Sequence, residues 1–249
     1  MKEYEDLIIE IRDQIAVVKM NRAPVNALSV AFLMNIRSAL QELAKDPDLR
    51  CVILVSANPK GWCAGGDVRD FGVSLPQGVN CPFGQMIMNA IERCPLPVIA
   101  AINGYCLGGG LEMSLACDIR IVADNAKIGL PEADLCLILA WGGMTRLPWL
   151  IGEGNAKKLF YTSERISGEK AVELGIAQAC VPADKLMDEA VALAKIIAAK
   201  APASIRGCKH VMNEMRRATL GAGLLAEAEA TSALQQTPED RKEAFRAFN

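Results

Sequence analysis

"NGYCLGGGLEMSLACD", residues 103–118, decides how the rest of the chain is read. A turn dipeptide, Asn103-Gly104, closes an apolar run, and Gly108, Gly109 and Gly110 lead into a helix. That helix is apolar nearly all round, yet it carries one carboxylate, Glu112. The first N–H groups of a helix have no internal partner and carry the positive end of its dipole. Glycines let a ligand come close to that backbone. The stretch therefore predicts a donor site for an anion, or for an oxyanion that develops during a reaction. A carboxylate buried beside it without a partner is costly, or it takes up a proton.

The flanking sequence repeats the theme. "PLPVIAAI" (95–102) reads as the strand before the glycine turn. "CVILVSA" (51–57) reads as a fully apolar strand of the parallel-sheet type, and "WCAGGD" (62–67) follows it as a second glycine turn. Two such turns at one end of one sheet can aim two backbone N–H groups at a single oxygen; tight packing alone is the plainer alternative. Neither turn has the G-x-x-x-x-G-K-[ST] or G-x-G-x-x-G spacing of a nucleotide loop. Downstream, the strand "IRIVAD" (119–124) can bring the chain back to deliver Glu132, in "LPEADL", to the same place. Paired carboxylates in one pocket can divide acid and base duties. Taken singly, each has an ordinary reading as an acid near a helix N-terminus.

The remainder fits an α/β chain. "LIIEIRDQIAVVKMN" predicts two strands around a turn at Asp13-Gln14, and Ser29 caps a helix over 30–45. Residues 72–84 carry mixed loop signals before a helix at 85–93. Further helices are expected near 153–162, 168–174, 184–200, 203–218, 221–236 and 238–248. Alternating strands and helices imply right-handed crossovers and a mostly parallel sheet. The C-terminal helices must pack on that core or on a neighbouring subunit.

Composition narrows the function. With 27 basic and 29 acidic residues the formal net charge is −2, so there is no electrostatic footprint for nucleic acid or an anionic membrane. The 9 cysteines form no C-x-x-C pair, and the single histidine, His210, sits in a basic helical stretch. Buried, reduced thiols fit better than a disulfide framework or a zinc site, and His210 reads as helix surface. The N-terminus shows no signal-peptide pattern. The apolar window 98–117 has the length of a membrane span, but Asn103-Gly104, the glycines and Glu112 make it a buried strand–loop–helix.

"NGYCLGGGLEMSLACDIRIVADNAKIGLPEADL" (103–135), with "CAGGD" (63–67) before it, resembles the crotonase (enoyl-CoA hydratase/isomerase) superfamily. The resemblance runs on through "LIGEGNAKKLFYTSERISGEKAVELGIAQACVP" (150–182). It implies an α/β fold built as a spiral of ββα turns over 1–195, with a helical region for trimerisation or a lid over 196–249. It implies an acyl-CoA thioester whose carbonyl lies between the amides of Ala64 and Gly109, with Ala64, Gly65, Gly66, Asp67 and Gly109 lining the thioester and CoA site. Glu112 then activates a water and Glu132 protonates the α-carbon of an enoyl-CoA. The resemblance calls for no metal or organic cofactor, coenzyme A being part of the substrate. It further implies a homotrimer or homohexamer in the cytoplasm, in fatty acid metabolism, with no nucleic-acid or membrane partner. Where typical hydratases carry a glycine and then a proline-glycine pair, this chain has Cys136, Leu139 and Ala140, followed by Trp141. Ala140 and Trp141 are thus expected to reshape the acyl pocket. Double-bond isomerisation, decarboxylation or hydrolysis of an acyl-CoA stay open as alternatives. A non-catalytic binding role on the same scaffold is disfavoured by the two acids and the even charge.

Overall fold

A computed structural model describes residues 3–67, 70, 80–135 and 139–217. Strands β1 (Leu7–Arg12) and β2 (Ile15–Met20) form an antiparallel hairpin. Its two turn residues, Asp13 and Gln14, take φ of 50° and 65°, the backbone twist that a two-residue hairpin favours. Strands β3 (Cys51–Ser56), β5 (Val98–Ile102), β7 (Ile119–Ala123) and β10 (Ala179–Val181) then add in parallel. The order across this sheet is β1-β2-β3-β5-β7-β10.

The sheet is covered on both faces, which is why β3 and β5 read as continuous apolar runs. Val52 and Leu54 face the main core together with Phe32, Leu33 and Ile36 of α1 (Val30–Leu43). Cys51, Ile53 and Val55 face the other way, onto Ala190 and Ala194 of a later helix, Leu186–Ala198. Helix α1 starts where the sequence places it, since Ser29 Oγ accepts the Phe32 N–H at 3.1 Å.

A second sheet corrects the sequence reading. Read from sequence, the strands at 51–57 and 95–102 run straight into their glycine turns. Instead the chain first lays down three residues elsewhere: β4 (Gly61–Cys63), β6 (Tyr105–Leu107) and β8 (Lys127–Gly129) run parallel to one another, and β9 (Arg165–Ser167) closes the set antiparallel. One strand in each sheet followed by helical chain gives a ββα unit, and its repetition makes the spiral. After β4 comes α2 (Asn80–Glu92), and after β6 comes α3 (Gly109–Ala116). After β8 a 3-10 turn, Pro131–Leu135, leads to α4 (Gly143–Ile151). The apolar window 98–117 is thus β5, β6 and α3. Among the described residues no helix is long and apolar enough to cross a membrane.

Helices α5 (Glu153–Thr162), α6 (Gly168–Glu173), α7 (Leu186–Ala198) and α8 (Pro202–Arg217) complete the described chain. Helix α8 is fastened to the core by a largely buried cation: Lys209 Nζ donates to Asp118 Oδ2 at 2.6 Å and to the Leu96 carbonyl at 2.9 Å. His210, on the same helix, is exposed. The helices expected over 221–236 and 238–248, residues 72–79 of the expected 72–84 loop, and Cys136 lie outside the described residues, while 80–84 of that loop belong to α2.

Candidate active site

The two glycine turns lie side by side because the strands that deliver them do. β4 and β6 pair in parallel, so Gly65-Gly66 and Gly108-Gly109 emerge at the same end of the small sheet. Gly65 takes φ +103° and Gly108 +53°, backbone that side chains rarely adopt. The approach is close: a β-carbon on Gly65 would lie 3.5 Å from Gly109 N, and one on Gly109 would lie 3.4 Å from Gly66 N. Gly109 begins α3, so its N–H has no helical acceptor. Among the described residues neither the Gly66 nor the Gly109 amide donates a backbone hydrogen bond.

Ala64 does not fit the role expected of it. Its N–H donates to the Val25 carbonyl at 3.0 Å, so the donor is already spent inside the fold. The loop between β2 and α1 is the reason. It lies along residues 64–67, with Leu28 N–H donating to Gly65 O at 2.8 Å and Asp67 N–H to Leu28 O at 3.0 Å. Asn26, fully buried at φ 52°, supplies its amide nitrogen to Ser56 Oγ at 2.7 Å and to Trp62 O at 2.9 Å. Asp67 is also committed: its carboxylate receives Arg22 Nη2 at 2.9 Å, and Arg22 Nη1 donates to Ala27 O at 2.6 Å. Asp67 therefore holds the wall of the site in place.

Glu112 sits in the first turn of α3, 3% exposed. Its Oε1 accepts two backbone amides from the turn that opens α4, Trp141 N–H at 2.9 Å and Gly143 N–H at 2.8 Å. Burial pushes its carboxyl above the usual range, while those amides and the Arg146 charge pull the other way. Burial prevails.

Glu132 arrives on the far side of the same turn. β8 pairs with β6, and Gly108 N–H donates to the Gly129 carbonyl at 2.9 Å, which sets the 3-10 turn over the glycines. Its Oε1 lies 2.5 Å from where a Gly108 β-carbon would stand. Its Oε2 is buried and has no partner among the described residues. Burial, with a smaller contribution from the Glu112 charge, pushes this carboxyl up to about 7. Two acids whose charges feel each other thus flank Gly108 and Gly109.

Trp141 is buried, and its ring lies between two glycines. A β-carbon on Gly84 would meet Cδ1 at 2.0 Å, and one on Gly109 would meet Cζ3 at 2.6 Å. The Ala140 carbonyl accepts Gln85 Nε2 at 3.0 Å. Neither lines the cavity that opens beside Glu132. That cavity, of about 390 Å³, is bounded by Leu130, Leu139, Met144, Pro148, Phe160 and Tyr161, with the Lys157–Glu153 ion pair also on its wall. Arg146 escaped the sequence reading. It is the one basic residue in the apolar segment "GGMTRLPWLI", and that isolation was the available signal. The Cys63 and Cys117 thiols nearby are buried, and burial pushes both up to about 12, which leaves them protonated and unreactive. Among the described residues no group of three or more His, Cys, Asp or Glu is placed to hold a metal ion.

A ββα spiral with adjoining glycine turns and two flanking carboxylates defines a protein of the crotonase fold. The comparisons agree. The family described as enoyl-CoA hydratase/isomerase matches residues 10–249. A crotonyl-CoA hydratase of Syntrophomonas wolfei is 34% identical over 98% of this chain and 95% of its own. A short-chain-enoyl-CoA hydratase of Clostridium acetobutylicum is 33% identical over 99% and 95%. The crystal structure of an enoyl-CoA hydratase from Bacillus anthracis superposes with a TM-score of 0.92 at 36% identity, covering 98% of this chain and 96% of that one. The chain belongs to the enoyl-CoA hydratase/isomerase family.

Proposed function

We propose that the protein is an enoyl-CoA hydratase that adds water across the 2,3 double bond of an enoyl-CoA thioester. The observation that carries this reading is Glu132, whose buried oxygen, without a partner among the described residues, and raised carboxyl lie over the glycine turn within the field of Glu112. The thioester oxygen binds the Gly66 and Gly109 amides, in place of the Ala64–Gly109 pair the sequence suggested. Gly65 and Gly108 bring the two donors together, and one such donor is worth about 3–4 kcal/mol to a developing oxyanion. Glu112, ionised, takes a proton from water as the oxygen bonds to C3. The π electrons move onto the thioester oxygen, giving an enolate. As the enolate returns to the thioester, Glu132 gives its proton to C2. One water is consumed, and the proton now on Glu112 passes through solvent to restore Glu132. The acyl chain runs from Glu132 into the cavity bounded by Leu139, Met144, Phe160 and Tyr161. Coenzyme A enters only as part of the substrate. Self-association as a trimer or a dimer of trimers is part of the proposal, supported by Trp149 and Tyr161, which leave 64% and 73% of their surface exposed.

The test is a turnover screen of straight, branched, cyclic and aromatic enoyl-CoAs, read by loss of enoyl absorbance and by product mass. Hydration predicts a product heavier by one water, with Glu112→Gln and Glu132→Gln each nearly inactive while still binding the ester. A product of unchanged mass assigns isomerisation instead, and unchanged turnover in Glu132→Gln removes the mechanism. Sedimentation showing only monomer removes the assembly.

A further inference from the structure

The turn that holds Glu112 is itself held, from below, by a buried cation. Arg146 is 8% exposed and reaches back from α4 under residues 141–143. Its Nη1 donates to the Trp141 carbonyl at 3.2 Å. That nitrogen would lie 2.0 Å from a Gly142 β-carbon, and Gly142 takes φ +109°. Glycine is thus needed there both for the backbone conformation and to let the guanidinium through. On its other side, Arg146 Nη2 is clamped to α2, donating to Asn89 Oδ1 at 2.8 Å and Glu92 Oε2 at 2.9 Å. Helix α8 buttresses the clamp, since Asn213 Nδ2 donates to the Glu92 carbonyl at 2.8 Å.

We propose that Arg146 is a positioning residue for Glu112: it locks the 141–143 turn so that both amides point at one carboxylate oxygen, and its charge favours, against burial, the ionised form that can accept a proton from water. The inference rests on the two-carboxylate reading above. A carboxylate 3% exposed is expected to take up a proton unless something opposes burial. The described charged groups facing it are few. Arg146 comes from α4, Glu132 from the 3-10 turn, and Glu92 from α2, acting through Arg146. The thiols of Cys63 on β4 and Cys106 on β6 are buried and pushed up, so they bring no charge. Of the charged groups only Arg146 favours the anion, and the Arg146 charge does lower the Glu112 carboxyl against the larger effect of burial. Glu92 competes for the same cation, so its removal should act in the opposite sense to removal of Arg146.

The experiment titrates Glu112 directly, by carboxyl NMR of protein labelled with ¹³C-glutamate, the signal assigned by its loss in Glu112→Gln. Arg146→Met should raise the Glu112 midpoint by about one pH unit or more. Arg146→Lys, which keeps the charge and loses the fork, should raise it less. Glu92→Gln should lower it. In turnover, the acidic limb of kcat/KM should move with the midpoint, while KM changes little. A merely structural arginine would lower the folded fraction and leave the midpoint of the folded molecules unmoved. An unmoved midpoint in the folded variants, or shifts of the same sign in Arg146→Met and Glu92→Gln, overturns the proposal. If Arg146→Met does not fold, Arg146→Lys and Glu92→Gln decide it by their opposite signs. Full turnover in Glu112→Gln would sink the two-carboxylate reading, and the NMR titration would still decide whether Arg146 governs that carboxyl.

Discussion

Glu132→Gln should cost the protein its activity and make it more stable, and the gain should appear only at high pH. The folded-state carboxyl is raised to about 7 from an ordinary 4.5. A group raised in this way contributes stability below the lower value and loses it as pH rises through the higher one. At about 1.4 kcal/mol per pH unit, ionising Glu132 in the folded protein is about 3 kcal/mol harder than in the unfolded chain. Glu132 keeps some contact with water, which screens its charge, and a realistic figure is about 1–2 kcal/mol. Glutamine resembles the protonated acid in shape and never ionises, so the variant escapes this penalty at pH 8. At pH 5 the wild-type carboxyl is already protonated when folded, and the two proteins should differ little. For a chain of this size the pH 8 difference corresponds to a melting temperature higher by roughly 2–4 °C. Thermal and urea unfolding of both proteins at pH 5 and 8 measure it. An equal gain at both pH values, or none at pH 8, would show that burial does not hold Glu132 protonated.

Other outcomes follow from the same geometry. Gly109→Ala sets a methyl 2.6 Å from Trp141 Cζ3, and kcat should fall by about 10²-fold or more as the donor is displaced. Adding Trp141→Ala should return part of that loss, measured as the double-variant coupling. Asp67→Asn removes the partner charge of Arg22 across a contact of 2.9 Å; stability should drop by about 1–3 kcal/mol in urea unfolding, with KM raised more than kcat is lowered. If Glu132 must carry a proton to deliver it to C2, kcat/KM should decline as pH rises past about 7, and Glu132→Gln should show no such limb in its residual rate.

Much of this was legible before any coordinates. The hairpin turn at Asp13-Gln14, the Ser29 cap and the apolar runs of β3 and β5 carry strong local signals, and each element formed where its residues direct. The small sheet was not legible. β4, β6 and β8 have three residues each, too few for a period-2 pattern, and their glycines read as turn. That omission carried into the site. Without β4, Ala64 looks like the residue that opens the glycine turn. In the structure it continues the hydrogen-bonding with the 25–28 loop, and among the described residues it is the Gly66 amide, beside Gly109, that donates no backbone hydrogen bond. The two glutamates were visible because acids are conspicuous in apolar sequence. The amides of Trp141 and Gly143 that hold Glu112 were not visible, since backbone donors leave no trace in residue identity. The expectation that Ala140 and Trp141 shape the acyl pocket met a packing fact that no sequence pattern reports. The indole fills the space left by Gly84 and Gly109, and Leu139 is the residue from that turn that faces the cavity.

The central claim is that two main-chain amides, of Gly66 and Gly109, polarise the carbonyl of a bound enoyl thioester. Infrared difference spectroscopy with a substrate bearing ¹³C at the thioester carbonyl reads that polarisation directly, in Glu132→Gln so that the ester persists. The carbonyl band of the bound ester should move to lower frequency than in solution, and return to the solution position in the Glu132→Gln, Gly109→Ala double variant. A band that stays at the solution frequency on saturating binding, in a protein whose wild type hydrates the same ester, would contradict the account.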